Sequence, residues 1–299
     1  MAGTLVGLGA AAVFWRVELG IVAPDDGGGG SGKAAIANPS EVKPNDFYPV
    51  VGLIYSPSLD RPGQKPKQPI RCSGALIEPD IVLTAAHCAC GVMKPIHIFI
   101  GWDEPKRSGP GYYPVMRDRI APADACSNGS TDGRKKSFRD LALLRLERKV
   151  IETAPLAFAD DGVTDSASTF RIVGFGAIDK LATVQPGRKF QGIVNAVSVD
   201  CAKGSSDMPE ARYGCEPGQE IVASSPTGVD SCAGDSGGPL LVAADGTAGS
   251  PTLSGLRIAG ITSRGVKNAP TKCGSGGIYE RIDAMTGKWI ETEISKLRK

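Results

Sequence analysis

Short apolar runs bounded by glycine, proline and small polar residues recur along most of this chain. Val50 to Tyr55, Ile81 to Thr84, Ile96 to Ile100, Phe170 to Val173, Gly192 to Val197, Leu240 to Val242 and Ile258 to Thr262 are rich in β-branched and aromatic residues and too short for helices. They predict strands. Within Pro95-Ile96-His97-Ile98-Phe99-Ile100 the isoleucines alternate onto one face, which predicts an ordinary strand with His97 turned to solvent. Helical spacing is clear near the end, where Trp289, Ile290, Ile294 and Leu297 form one stripe suited to core packing. Strands do not alternate with regular helices, so the pattern favours an all-β architecture over a parallel α/β sheet. A chain of 299 residues is long enough to bury a substantial core.

The front of the chain has a different texture. Residues 1–23 hold an apolar, alanine-rich stretch from Leu5 to Trp15, interrupted by Arg16 and Glu18. It has the length of a signal-peptide hydrophobic region but lacks a basic leader and a small-x-small cleavage site, and it is short for a membrane span. A degenerate export signal, a membrane anchor and a mis-called start all stay open. Residues 24–35, with Gly27-Gly28-Gly29-Gly30-Ser31-Gly32, read as a flexible linker.

A formal net charge of +2 with no basic stripe interleaved by aromatics gives no support to nucleic-acid binding and says little else about partners. The eight cysteines are more informative, because they form no paired Cys-x-x-Cys knuckles. A disulfide framework is favoured over zinc, which implies an oxidising compartment and a secreted or otherwise exported protein. Spacing alone leaves 105 connectivities open for eight cysteines.

The richest chemistry lies in Asp230-Ser231-Cys232-Ala233-Gly234-Asp235-Ser236-Gly237-Gly238-Pro239, where a serine sits among residues small enough for backbone amides to crowd its hydroxyl. A serine hydroxyl needs a base to take its proton and donors to hold the oxyanion formed on attack. The base is sought among two histidines. His87, in Leu83-Thr84-Ala85-Ala86-His87-Cys88, follows an apolar run and precedes a cysteine that can pin it, whereas alternation alone explains His97. A carboxylate is needed to hold the imidazole tautomer, and Asp140 opens the apolar run Leu141-Ala142-Leu143-Leu144-Arg145-Leu146.

These segments, in the order His, Asp, Ser, resemble the trypsin/chymotrypsin family of serine endopeptidases. The resemblance runs from about Ile36 to the C-terminus and includes Gly174-Phe175-Gly176 and Gly277-Ile278-Tyr279. It implies two antiparallel six-stranded barrels, at about 36–155 and 156–285, followed by a C-terminal helix at about 286–297. It also implies that Ser236 attacks the peptide carbonyl, His87 takes its proton, Asp140 orients His87, and the N–H groups of Gly234 and Ser236 form the oxyanion hole. Asp230 matches the acid at the base of a pocket selecting Arg or Lys, with Gly265 and Gly277 as wall glycines, and Ser263 matches the serine supporting the triad carboxylate. The pairs Cys72 with Cys88, Cys201 with Cys215, and Cys232 with Cys273 follow from the same resemblance. Cys90 and Cys126 remain to pair with each other.

In that family a new α-amino group, here that of Ile36, folds inward to pair with the acid before the nucleophile, here Asp235. Ala35 precedes Ile36 and the nearest basic residue is Lys33, so a cut after either, or none, stays open. Arg264 departs from the family, standing where relatives carry an aromatic residue beside the substrate, and Val266 to Lys272 forms a longer loop. The partners implied are protein or peptide substrates, an activating protease and protein inhibitors; no cofactor or metal is implied. Asn128-Gly129-Ser130 is read as an unused glycosylation tripeptide, and two adjacent acids, Asp103 and Glu104, do not make a calcium cage. The competing classes are a catalytically silent binding module on the same fold and a latent precursor acting as an adaptor. Retention of the whole triad argues against the first.

Overall fold

Most of the apolar runs become strands with both faces covered, whereas Gly192 to Val197 leaves Ile193 and Val197 exposed. A computed structural model describes residues 40–43, 46–55, 70–90, 92, 95–104, 106, 110–122, 139–201, 212–250 and 252–299. The segments at 1–23 and 24–35, Ile36, Cys126 and Asn128 lie outside these residues.

A first barrel is built from β2 (Val50–Tyr55), β3 (Cys72–Glu78), β4 (Ile81–Thr84), β5 (Ile96–Ile100), β6 (Gly111–Pro122) and β7 (Ala142–Leu146), closed in the order β2-β3-β4-β7-β6-β5. The second uses β8 (Thr169–Gly174), β9 (Phe190–Ser198), β10 (Glu220–Ser224), β11 (Pro239–Val242), β12 (Arg257–Gly265) and β13 (Gly277–Arg281). Its order is β9-β10-β13-β12-β11-β8, and pairing of β8 with β9 closes it. A short β1 (Ser40–Glu41) adds to β9, and every strand pairing is antiparallel.

Period-two geometry sends neighbouring residues of one strand into different cores. Val51, Leu53, Ile98, Leu144 and Leu146 fill the first barrel, and Phe170, Ile172, Val194, Leu240 and Val242 fill the second. Val50, Leu141, Leu143, Val173, Leu241 and Ile258, from the opposite faces, form a shared cluster between the barrels. Both faces of most of these strands are thus apolar, so their sequence runs are continuous where a half-exposed sheet would alternate, β9 being the half-exposed exception.

The same geometry corrects the reading of His97, which is 2% exposed and not turned to solvent. It shares a strand face with Phe99, which packs with Ile54, Ile70 and Phe175, so an outer barrel face expected to be wet is covered by other parts of the fold.

Among the described residues the helices named here are α1 (Ala86–Ala89), α2 (Asp161–Asp165) and α3 (Ala284–Leu297). Ile290, Ile294 and Leu297 of α3 join the cluster between the barrels, with Trp289 packed against it. Asp283 caps α3 by accepting from the Thr286 backbone N–H and hydroxyl, and its other oxygen takes Arg139 Nη2 at 2.7 Å. The helix cap is therefore tied to the residue immediately before Asp140. Disulfides join Cys72 to Cys88, Cys201 to Cys215 and Cys232 to Cys273. No helix among the described residues is long and apolar enough to cross a membrane.

Candidate active site

His87 lies on α1, a single turn following β4, and the Cys72–Cys88 bond fastens that turn to β3. Asp140 precedes β7 and is buried. Its Oδ1 accepts the His87 backbone N–H at 3.0 Å, and its Oδ2 lies 2.8 Å from His87 Nδ1. This two-point contact fixes both the position and the plane of the imidazole. Ser263 Oγ, from β12, donates to the same Oδ2 at 2.7 Å.

Burial of His87 favours its neutral form, but the hydrogen bond and the charge of Asp140 outweigh it, and the imidazole pKa is raised above its ordinary 6.5. Nδ1–H directed at a carboxylate leaves Nε2 as the basic nitrogen. That is the arrangement a general base requires.

Ser236 lies on the turn leading into β11. Its carbonyl accepts the Ser73 N–H at 2.8 Å, and Cys88 Sγ is 3.6 Å from the same oxygen. Both contacts come from residues next to, or part of, the disulfide beside His87, so the serine turn is drawn to the histidine turn. Ser73, which no sequence motif announced, also donates its hydroxyl to the Gly234 carbonyl at 2.8 Å. Gly234 has φ +102° and Gly237 φ +81°, values that strain any residue with a Cβ. A Cβ on Gly237 would also collide with Thr84 Oγ1. Among the described residues, neither Gly234 nor Ser236 gives its N–H to a backbone acceptor.

Asp235 points away from Ser236 into the fold, where Gly176 N–H and Cys232 N–H donate to its carboxylate at 2.8 and 2.9 Å. A Cβ on either Gly174 or Gly176 would overlap this carboxylate, which is the physical reason for the Gly174-Phe175-Gly176 motif. Burial pushes the Asp235 pKa up to about 7 against the two hydrogen bonds, with the Asp230 charge adding to the rise. No cationic side chain among the described residues pairs with it.

Asp230 is also buried, and burial pushes its pKa up to about 6 although the N–H groups of Gly276, Gly274 and Ser231 oppose the shift. It too has no cationic partner among the described residues. The Cys232–Cys273 bond braces the two segments around it. A Cβ at Gly277 would meet Tyr279 Oη at 2.7 Å and Ser231 Oγ at 2.8 Å, whereas one at Gly265 would meet nothing within 4 Å. Gly277 thus belongs to the packed wall and Gly265 to an open rim.

Arg264 turns its guanidinium inward to Glu220, a strand acid that sequence reasoning passed over. Asp103, weighed and rejected as a calcium ligand, is buried with Arg188 Nε at 3.1 Å and Lys106 Nζ at 3.7 Å, so cations already balance it.

Comparison with known proteins gives the same family from sequence. The family model described as Trypsin matches residues 49–290. Serine protease ea of Drosophila melanogaster is 28% identical over 276 residues, which cover 82% of this chain and 63% of that protein. The match therefore spans less than two thirds of that relative's length. Snake venom serine protease PTLE1 of Gloydius halys is 29% identical over 230 residues, covering 75% of this chain and 78% of its own. In three dimensions, neuropsin, a serine protease of mouse brain, superposes with a TM-score of 0.63 at 21% identity over 86% of this chain and 99% of its own, a likeness of fold. With 242 of its residues matched, bearing the paired barrels and the serine turn, this chain belongs to the trypsin family of serine endopeptidases.

Proposed function

We propose that this protease cleaves peptide bonds after Arg or Lys through an acyl-enzyme, with Ser236 as nucleophile, His87 as general base and Asp140 as its orienting carboxylate. The observation that carries the reading is the double grip of Asp140 on His87, at 3.0 Å through the backbone and 2.8 Å through Nδ1. His87 takes the proton of Ser236 as its Oγ attacks the carbonyl, and the N–H groups of Gly234 and Ser236 hold the resulting oxyanion. The same imidazole then protonates the leaving amine and activates the water that releases the acyl group. Asp230 supplies the charge that selects a basic side chain, because a buried carboxylate without a partner gains most from a guanidinium or ammonium. Ser263 supports Asp140, while Gly265 leaves an open rim for the long side chain and Gly277 keeps the wall beside it tightly packed.

Activation is part of the same proposal. Asp235 is a buried acid awaiting a cation, and the α-amino group of Ile36, freed by a cut after Ala35, supplies one. Pairing would fix the turn that carries both oxyanion donors. Proteins or peptides are the substrates, an activating protease and protein inhibitors the further partners, and the disulfides favour an extracellular setting.

Linkage gives this proposal a pH signature. Without the amine, the folded Asp235 pKa of about 7 lies above its ordinary 3.8, so the unfolded chain releases its proton first. Stability of the full-length protein should therefore fall as pH rises from about 4 to about 7. In a form beginning at Ile36 the paired amine acquires a raised pKa. Its contribution is fully present below the unfolded amine's value of about 8 and fades as pH climbs through the folded one. Denaturant titrations across this range should show the early decline only in the full-length chain. On an arginyl peptide substrate, the form beginning at Ile36 should be active, while the full-length chain and the shortened form carrying Asp235→Asn should be nearly silent. Equal activity in the full-length and shortened forms would remove the switch from the proposal.

A further inference from the structure

Behind Asp140 lies a group of charges that the hydrolytic scheme does not use. Arg264 Nη1 donates to Glu220 Oε1 at 2.5 Å and Nη2 to Glu220 Oε2 at 2.8 Å, a two-pronged clamp completed by the Gly214 carbonyl at 3.0 Å. The guanidinium also reaches back, with Nη1 3.4 Å from the Ser263 hydroxyl, which donates to Asp140 Oδ2 at 2.7 Å. Glu220 on β10 stands directly across the ladder from Glu280 on β13, and both are buried.

We propose that Arg264 is a positioning residue for hydrolysis: clamped by Glu220, it holds the Ser263 hydroxyl on Asp140 and sets a positive charge behind the carboxylate that orients His87. The inference rests on the triad reading above.

The electrostatics follow from which groups face Arg264. These are Glu220 from β10, Glu280 from β13 and Asp140 from the segment before β7. Burial, together with the charges of Glu220 and Asp140, holds the Glu280 carboxyl well above the usual carboxylate range, against the opposing charge of Arg139. Burial thus disfavours the charged form of Glu280, and Arg139 is balanced by Asp283. The ion pair beside the Ser263–Asp140 hydrogen bond is that of Arg264 with Glu220. Of the pair, the guanidinium is the member that touches Ser263. It therefore disfavours the imidazolium of His87. Removing the guanidinium charge leaves Glu220 unbalanced and raises the His87 pKa. Neutralising Glu220 leaves Arg264 unbalanced and lowers it.

The test is the pH dependence of Ser236 acylation by a fluorophosphonate, followed in the active form of the full catalytic domain and in variants. Hydrolysis requires neutral His87, so the acid limb of the rate profile reports its pKa. Arg264→Met should move that limb up by about half to one pH unit, as expected for one charge several ångströms away in a partly screened setting. Glu220→Gln should move it down by a similar amount. Arg264→Lys, which keeps the charge but not the fork, should hold the limb while losing rate. The double variant Arg264→Met with Glu220→Gln should return the limb close to the parent position, and it keeps the test alive should the single Met variant fold poorly. Shifts of the same sign in the two single variants, or losses of rate with no shift, would reduce the cluster to a structural prop and overturn the proposal. If the parent protein were not acylated at Ser236 at all, the triad reading itself would fall and this inference with it, an outcome distinct from unshifted limbs in a reactive parent.

Discussion

Replacing Ser236 by Ala should lower peptide turnover about a million-fold, and His87→Ala should do nearly the same, because the two side chains act as one unit. The expectation follows from the geometry around Asp140. An imidazole gripped at its backbone and at Nδ1 has one nitrogen left for the reaction, and that nitrogen has value only if a hydroxyl is there to use it. Asp140→Asn should cost on the order of ten thousand-fold, since an amide preserves the packing but presents an N–H or a weaker acceptor to Nδ1 and favours the wrong tautomer. Circular dichroism and denaturant titration of the purified variants separate this from unfolding: Ser236→Ala and Asp140→Asn nearly keep side-chain volume, whereas His87→Ala removes a largely buried imidazole. Residual activity above a few per cent in Ser236→Ala would assign the nucleophile elsewhere.

The second large effect is on specificity. Asp230→Ser should reduce kcat/KM for cleavage after Arg or Lys by about a thousand-fold or more, the cost of leaving a desolvated charge without its partner. Weak cleavage after apolar residues should survive, because the site keeps its space while losing its charge. The motive is that Asp230 is buried, held among the described residues by backbone N–H groups, and has its pKa pushed up to about 6 by burial. An incoming guanidinium would pair with that carboxylate and gain the full benefit of the desolvated site. A peptide-library profile of the unmodified enzyme with no preference for basic residues would contradict this assignment, whatever the variant does.

How much of this could be read in advance differs from element to element, for physical reasons. Val50 to Tyr55 and Ile81 to Thr84 were legible as strands because each lies between two apolar layers and only its last residue, Tyr55 or Thr84, carries a polar group. The strand Gly111–Pro122 was not, since Pro114 and the polar run Arg117-Asp118-Arg119 conceal it, and its place in the barrel is set by partners distant in sequence. His97 was misjudged because alternation tells which residues share a face but not whether something covers it. The triad candidates were legible because their neighbours are constrained locally, as at Gly234 and Gly237, where positive φ admits little else. Glu220 and Glu280 were invisible in the sequence. Each looks like a routine strand charge until the β10–β13 register sets them opposite each other beside Arg264.

The central claim is that Ser236 is an activated nucleophile, and the most direct measurement is mass spectrometry of the peptide modified by a fluorophosphonate. The form beginning at Ile36 should carry a single adduct on Ser236, and the adduct should vanish in His87→Ala while the disulfides and fold are retained. An adduct on another serine, or none on Ser236 in that form at a pH where His87 is neutral, would contradict the account.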